Sequence, residues 1–419
     1  MAERVEDEGS GGTTRPLTGW RRLLGCLAAL GVVLAVLFGF AWAFLGNSGY
    51  WPGSSMTRAW ETPVDRAAFE HGDNAWLAGD TLVRSRFDAV TGFDAESGKQ
   101  RWEYVPPRRT DICATSSAAT SSVVLIAYGE RATGCAMVAA LGLKDGRELW
   151  HTARTPVTGD FAHQDDVVAT GTGLGVVLDG GKDGTTVRAF DLRTGAPRWT
   201  AAVPNGCVPG KVAAAPTQVL AVLACGTEAK LAAFDPADGH ARWTVPLDAR
   251  RGVDARANVA FTSTEPIVLR VDEVSAFLAF GPDGRPQGRI ESTGAHGSIG
   301  GNVAVSDGRL FALTSGGSWG LLVAFDLTAG SELWRTDLGG ARSRAGGLHA
   351  EGGRVMAVLT SDKYGDNLYA YDAATGDEEE DRAFRERIGG VRDLFPYKDL
   401  VIGVRTGGGV RPFSAYKRW

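Results

Sequence analysis

The sequence predicts an all-β protein, an eight-bladed β-propeller of four-stranded antiparallel blades preceded by one transmembrane helix. Three observations predict it. One short pattern recurs at nearly constant spacing through residues 58–419, short apolar runs of strand character flank each copy, and no helical period occurs after the first 45 residues.

The pattern is plainest in AFDLRTGAPRWT, Ala189 to Thr200, which reads as a strand end, a turn closed by Gly195 and a second strand carrying Trp199. Related stretches are TGFDAESGKQRW, LGLKDGRELW, AAFDPADGHARW, LAFGPDGRPQGR, VAFDLTAGSELW, YAYDAATGDEEE and SAYKRW. Aligned on their large apolar residue, the eight copies fall at Phe93, Leu143, Phe190, Phe234, Phe280, Phe325, Tyr371 and Tyr416, spaced by 50, 47, 44, 46, 45, 46 and 45. The preceding residue is always small (Gly92, Gly142, Ala189, Ala233, Ala279, Ala324, Ala370 and Ala415), which implies close packing against the neighbouring unit. A glycine follows in seven copies and supplies the positive φ of a hairpin turn.

Four residues after that glycine stands Trp102, Trp150, Trp199, Trp243 or Trp334, replaced by Gly288 and Glu380 in two copies. These tryptophans are expected to dock one unit on the next, each burying roughly 150–250 Å². Upstream of each anchor lie apolar runs such as VVLIAY, VLAVLA and RVMAVLT, and before them a further run such as GNVAVSDG. Four strands in some 45 residues make a propeller blade. The last copy reaches Trp419 after its third strand, whereas RAWETP, Arg58 to Pro63, puts Trp60 in a docking position. This N-terminal strand is therefore expected to complete the eighth blade and close the ring, removing its sheet edges.

Residues 1–22 are polar, with four acids in ERVEDEGSGG, and read as a disordered cytoplasmic tail. Residues 23–45 hold no charge and as a helix would span about 34 Å, enough to cross a bilayer core. Arg4, Arg15, Arg21 and Arg22 precede this segment and the next basic residue is Arg58, which places the N-terminus in the cytoplasm and the propeller outside it. Ala41 and Ala43 form an A-x-A pattern, so release after cleavage near Ala43 is the alternative to a retained anchor; the apolar run exceeds the usual signal-peptide core. No apolar region precedes LLGC, so Cys26 reads as a lipid-facing residue and not a lipidation site, and the Arg21–Arg22 pair reads as the positive flank. Residues 46–57 are Gly/Ser-rich and read as a flexible linker, with the propeller over 58–419.

A net charge of −5 without a Lys/Arg cluster disfavours nucleic acid as a partner. The 57 glycines, scattered without a period of three, fit a turn-rich chain. Cys113 and Cys135 fall within one repeat and Cys207 and Cys225 within another, the first of each pair near an inner strand and the second near the end of the adjacent strand. Outside the cytoplasm such pairs are expected as two disulfides, each worth about 3 kcal/mol for loops of this size.

The sequence of small residue, aromatic, Asp, then T-G or D-G, then Trp resembles the PQQ-enzyme repeat of the quinoprotein-type β-propellers, over nearly all of residues 58–419. Arg-over-Lys usage with abundant Ala and Gly is similar to that of actinobacteria. The resemblance implies an eight-bladed ring, found both in quinoprotein dehydrogenases and in non-catalytic envelope proteins. In the dehydrogenases it implies a vicinal Cys-Cys ring, a Trp floor, Ca²⁺ held by Glu, Asn and Asp, and a catalytic Asp. This chain has no adjacent cysteines and places no such ligand set, so neither PQQ nor Ca²⁺ is expected.

Other motifs read as structural. GGSWG, Gly316 to Gly320, matches G-x-S-x-G but lies between strands, and GTGLG, Gly171 to Gly175, lacks a following helix. His71, His151, His163, His240, His296 and His349 show no metal spacing. DEEED, Asp377 to Asp381, is expected at a solvated hairpin tip, and Asp362, Asp366 and Asn367 lack a full Ca²⁺-loop spacing. The expected function is a non-catalytic, membrane-anchored scaffold that binds an envelope protein or a small ligand. The alternatives are a divergent PQQ-dependent oxidoreductase, a carbohydrate-active propeller, or the sensory ectodomain of a signalling system.

Overall fold

A computed structural model describes residues 18–47, 55–65, 73–130, 134–156, 166–171, 173–181, 184–315, 320–338, 343–361, 365–405 and 409–418. The acidic tail, the Cys26 side chain, His71, His163, Asp362, Trp419 and GGSW of the GGSWG stretch lie outside the described residues. The chain divides into two units, Met1–Ser54 and Ser55–Trp419.

The first unit holds helix α1, Thr18–Asn47, longer at both ends than the span expected at 23–45. Hydropathy marks the part of a helix that suits a bilayer, whereas main-chain hydrogen bonding continues into polar flanks such as TGWRR. Within it, Leu27–Leu45 is long and apolar enough to cross a membrane, and none of it is buried.

The second unit is built of antiparallel sheets in chain order. Blade one comprises Asn74–Ala78, Thr81–Ser85, Val90–Asp94 and Gln100–Tyr104. Blades two to seven follow at 111–153, 168–202, 207–246, 259–291, 293–337 and 343–384. Blade six departs from the four-strand rule: the two-residue strand Thr293–Gly294 pairs with Gly297–Ser306.

Blade eight is made from both ends of the unit. Asp393–Tyr397, Leu400–Val404 and Phe413–Arg418 are completed by β1, Ser55–Glu61, antiparallel to the last of them. Its start falls inside the expected linker because Ser55 and Met56 also pair in parallel with Ala383 and Phe384 of blade seven. Beyond β1, the Thr62 hydroxyl donates to the Phe413 carbonyl and accepts from its N–H, both at 3.1 Å. The core lies between successive sheets, where anchors reach back to the preceding blade: Phe93 packs on Phe413, Phe190 on Trp150 and Tyr416 on Phe384, with ring centroids 4.9–5.8 Å apart.

Strand register corrects the sequence alignment in blade two. There Leu141 pairs with Glu148 and Ala140 with Trp150, so the equivalents of Phe93 and Gly92 are Leu141 and Ala140, not Leu143 and Gly142. The first two spacings become 48 and 49. Both LGLKD alignments satisfy a small-then-apolar pattern, and only the hydrogen-bonded register separates them.

Candidate binding surfaces of the ring

Each docking tryptophan stands opposite the small residue of its own blade: Gly92 with Trp102, Ala140 with Trp150, Ala189 with Trp199, Ala233 with Trp243, Ala324 with Trp334 and Ala415 with Trp60. A register shift beside each pair gives the outer strand one extra residue, a bulge that re-aims the indole. The small residue therefore makes room for its own blade's indole, and it is the indole that reaches the neighbour. There it lies over the turn glycine: a Cβ on Gly195 would be 2.6 Å from Trp150, on Gly239 2.5 Å from Trp199 and on Gly376 2.6 Å from Trp334. Those glycines sit at φ between 72° and 77°.

The indole N–H of Trp150, Trp199, Trp243 and Trp334 donates to a carbonyl of the next blade, at Leu192, Pro236, Pro282 and Ala373, over 2.9–3.2 Å. The indole N–H groups of Trp60 and Trp102 lie buried without a partner.

The two exceptional copies close differently. Between blades five and six the Gly288 N–H donates to the Leu327 carbonyl at 2.8 Å, replacing an indole N–H with main chain, and a Cβ on Gly288 would meet that carbonyl at 2.5 Å. Between blades seven and eight no turn glycine awaits a tryptophan. Met56 of β1 stands four residues before Trp60, in the glycine position, and is buried with Met356, Leu368, Ala370, Phe384 and Tyr416.

Glu380, opposite Ala370 where an indole would stand, joins Arg354 at 2.6 Å and Arg418 at 3.2 Å, and also Arg382. Burial would push its carboxyl up, but the arginine hydrogen bonds win and hold it below the usual range. Glu378 to Asp381 of the DEEED run thus belong to the outer strand, Glu378–Phe384, and not to a hairpin tip; all of the run but Glu380 stays exposed, and Glu379 also reaches Arg354 at 2.9 Å.

The repeated aspartates serve their own turns. Asp191 accepts from the Thr194 N–H at 3.0 Å and from Arg198 at 2.5 Å, which together hold its carboxyl well below the carboxylate range. Asp94 and Asp235 pair likewise with Arg101 and Arg242. Of the Asp366–Asn367 pair, Asp366 is buried and accepts from the Ile388 N–H at 2.6 Å, while Asn367 donates to Asp381 at 2.8 Å. His151, His240 and His349 face Glu148, Asp238 and Glu351, and His296 packs edge-on against Phe325.

Cys113 is bonded to Cys135 and Cys207 to Cys225, with Cα atoms 6.2 and 4.0 Å apart. Cys207 and Cys225 are direct cross-strand partners, whereas Cys113 lies at a bulge and Cys135 lies beyond the adjacent strand, just ahead of Met137–Gly142.

Among the clefts that the described residues form on the ring, three are walled by residues that differ between blades. One of about 620 Å³ lies beside blade one, walled by Asp65, Arg86, Asp88, Glu103 and Arg109. Behind it Arg84, 1% exposed, is held between Asp65 and Asp73 at 3.2 Å. A second, about 340 Å³, draws Phe261, Asn302, Leu348 and Asp393 from the inner strands of four blades and so lies in the central channel. Burial pushes the Asp393 carboxyl up, against the pull of the Leu394 N–H, His349 and Arg392. The third, about 390 Å³, is at the seam of blades seven and eight. Sequence reasoning found none of the three, since each is assembled from residues far apart in the chain.

Both cysteine pairs are used in bonds between strands of one blade, and among the described residues no three His, Cys, Asp or Glu side chains converge as a metal site.

A family model described as outer membrane protein assembly factor BamB, a PQQ-repeat family, matches residues 114–277, 272–385 and 318–416. The outer membrane protein assembly factor BamB of Yersinia pestis is 22% identical over 316 residues, 74% of this chain and 67% of that protein. A quinohemoprotein alcohol dehydrogenase from Pseudomonas putida shares the fold with a TM-score of 0.53 at 14% identity, over 88% of this chain and 77% of the other. A europium-containing methanol dehydrogenase does so with the same TM-score and identity, over 85% and 86%.

Proposed function

Because the chain belongs to the PQQ-repeat β-propeller family described as outer membrane protein assembly factor BamB, we propose that it is a non-catalytic scaffold of the cell envelope. In this reading α1 anchors it, the ring stands outside the cytoplasm, and its work is to bind another envelope protein. One observation carries the reading: the polar groups that recur around the ring are spent in holding it together, so what is left to differ is surface. The Asp191-type carboxylates cap turns, the indoles bridge blades and the four ring cysteines are bonded in pairs. The relative from Yersinia pestis, named an assembly factor, supports an envelope protein as the partner.

Amine-reactive cross-linking in the native envelope tests it. Lys99, Lys144, Lys230, Lys398 or Lys417 should cross-link to one recurrent envelope protein. Recovery of intramolecular cross-links alone would overturn the scaffold. The reading also predicts that PQQ with Ca²⁺ leaves the melting temperature unchanged, since a ligand that binds only the folded state must raise it.

A further inference from the structure

We propose that Asn205 is a self-modifying site: its side-chain amide closes onto the Gly206 main-chain nitrogen as a cyclic imide, which water opens to aspartate and isoaspartate. Of the chain's asparagines only Asn205 is followed by glycine. The pair lies in the connection from the outer strand of blade three, Pro197–Ala202, to the inner strand of blade four, which starts at Cys207. There the Cys207 N–H donates to the Pro204 carbonyl at 3.0 Å, closing a turn with Asn205 and Gly206 as its central residues. Gly206 stands at φ +78°, the left-handed conformation that the second central position of such a turn requires.

Asn205 and Gly206 are exposed, and among the described residues neither the Asn205 amide nor the Gly206 N–H has a hydrogen-bond partner to give up. A Cβ on Gly206 would meet nothing within 4 Å, so the space beside the attacking nitrogen is open. The other asparagines of the ring differ. Those at Asn74, Asn258 and Asn367 hold their amides on Thr115, Asp272 and Asp381 at 3.3, 2.7 and 2.8 Å, and Ala, Val or Leu follows each, with a Cβ beside the same nitrogen. Asn302 precedes Val303, which is paired in the ladder with Ala312. In the reaction the Gly206 nitrogen bonds to the Asn205 Cγ while the bond from Cγ to the amide nitrogen breaks, and ammonia leaves with the Gly206 proton. One water then opens the imide: at Cγ it yields aspartate, and at the main-chain carbonyl it yields isoaspartate, whose chain runs through the β-carbon. Nothing is oxidised or reduced, and either product adds a negative charge at neutral pH. Because Cys207 is bonded to Cys225, its direct cross-strand partner, the start of the strand is pinned and the added length of isoaspartate is taken up in the exposed turn.

The test ages the full chain in detergent at mildly alkaline pH, then reduces, alkylates and cuts it with trypsin, and follows the peptide of residues 199–211 by mass spectrometry. A sample taken before ageing subtracts conversion during digestion. The peptide should exchange its amide for an acid and resolve into isoaspartyl and aspartyl forms, at a rate close to that of the chain unfolded in urea, while Asn74, Asn258 and Asn367 keep their amides. Gly206→Ala, whose methyl crowds the nitrogen, should slow the conversion several-fold, and Asn205→Gln, which would need a six-membered ring, should stay intact. An Asn205 amide that persists in the folded chain while the urea-unfolded chain loses it would overturn the site, because the turn would then protect it. Equal conversion at Asn258 would do the same by showing no selection by the fold, and an aspartyl product without isoaspartyl would show direct hydrolysis in place of the imide.

Discussion

At Gly195 the backbone stands at φ +72°, and an added methyl would lie 2.6 Å from the Trp150 ring, which is itself fixed by the preceding blade. Gly226 has a similar φ of +64° with open space around it. The two separate backbone strain from docking: Gly226→Ala should cost about 1 kcal/mol, and Gly195→Ala roughly 2–4 kcal/mol because the indole must also move. Urea denaturation of the two variants measures the difference, and equal losses would refute the docking role of Trp150. Asp393 makes a second prediction. An acid whose pKa is higher folded than unfolded binds more protons in the fold, so stability falls as pH rises from near 4 through the folded value. Asp393→Asn keeps an acceptor for the Leu394 N–H and removes the ionisation, with Arg392 and the His349 imidazole left around it. It should raise the melting temperature at neutral pH and lose that advantage at pH 3. An advantage that persists at pH 3 would show that burial of charge is not the cause.

Among elements, the outer strands show how far the sequence could be read. Trp199 and Gly195 announce a hairpin, and the closing role of β1 follows from the missing fourth strand of the last copy together with Trp60. The bulge beside each tryptophan was not legible, since it is a property of pairing: Ala189 meets Trp199 while Phe190 meets Pro197. The same limit misplaced blade two by two residues, because Leu141 and Leu143 are equally good anchors until Glu148 and Trp150 choose between them. Glu380 read as degeneracy, and its cause lies 324 positions earlier, in Met56 occupying the place of a turn glycine. The disulfides also act at this scale. Cys207 and Cys225 tie adjacent strands across 18 residues, so Cys207→Ser with Cys225→Ser should cost about 3 kcal/mol in denaturant. A loss below 1 kcal/mol would mean that strand pairing alone holds these ends together.

For the whole molecule, the account separates what repeats from what does not. The repeat was legible because six junctions of the ring use the same small residue, turn glycine and indole, and those positions cannot drift independently. The clefts were not legible, because blade eight joins Ser55–Glu61 to Phe413–Arg418 and no local pattern announces what that union leaves open. The central claim is that function lies at these departures and not on the repeated hairpins. The most direct measurement is photo-cross-linking in the native envelope from p-benzoylphenylalanine placed at Lys398, on the rim of the seam, and at Lys144, on the repeated hairpin of blade two. The account predicts one discrete protein adduct from position 398 and none from position 144; adducts from both alike, or from position 144 alone, would contradict it.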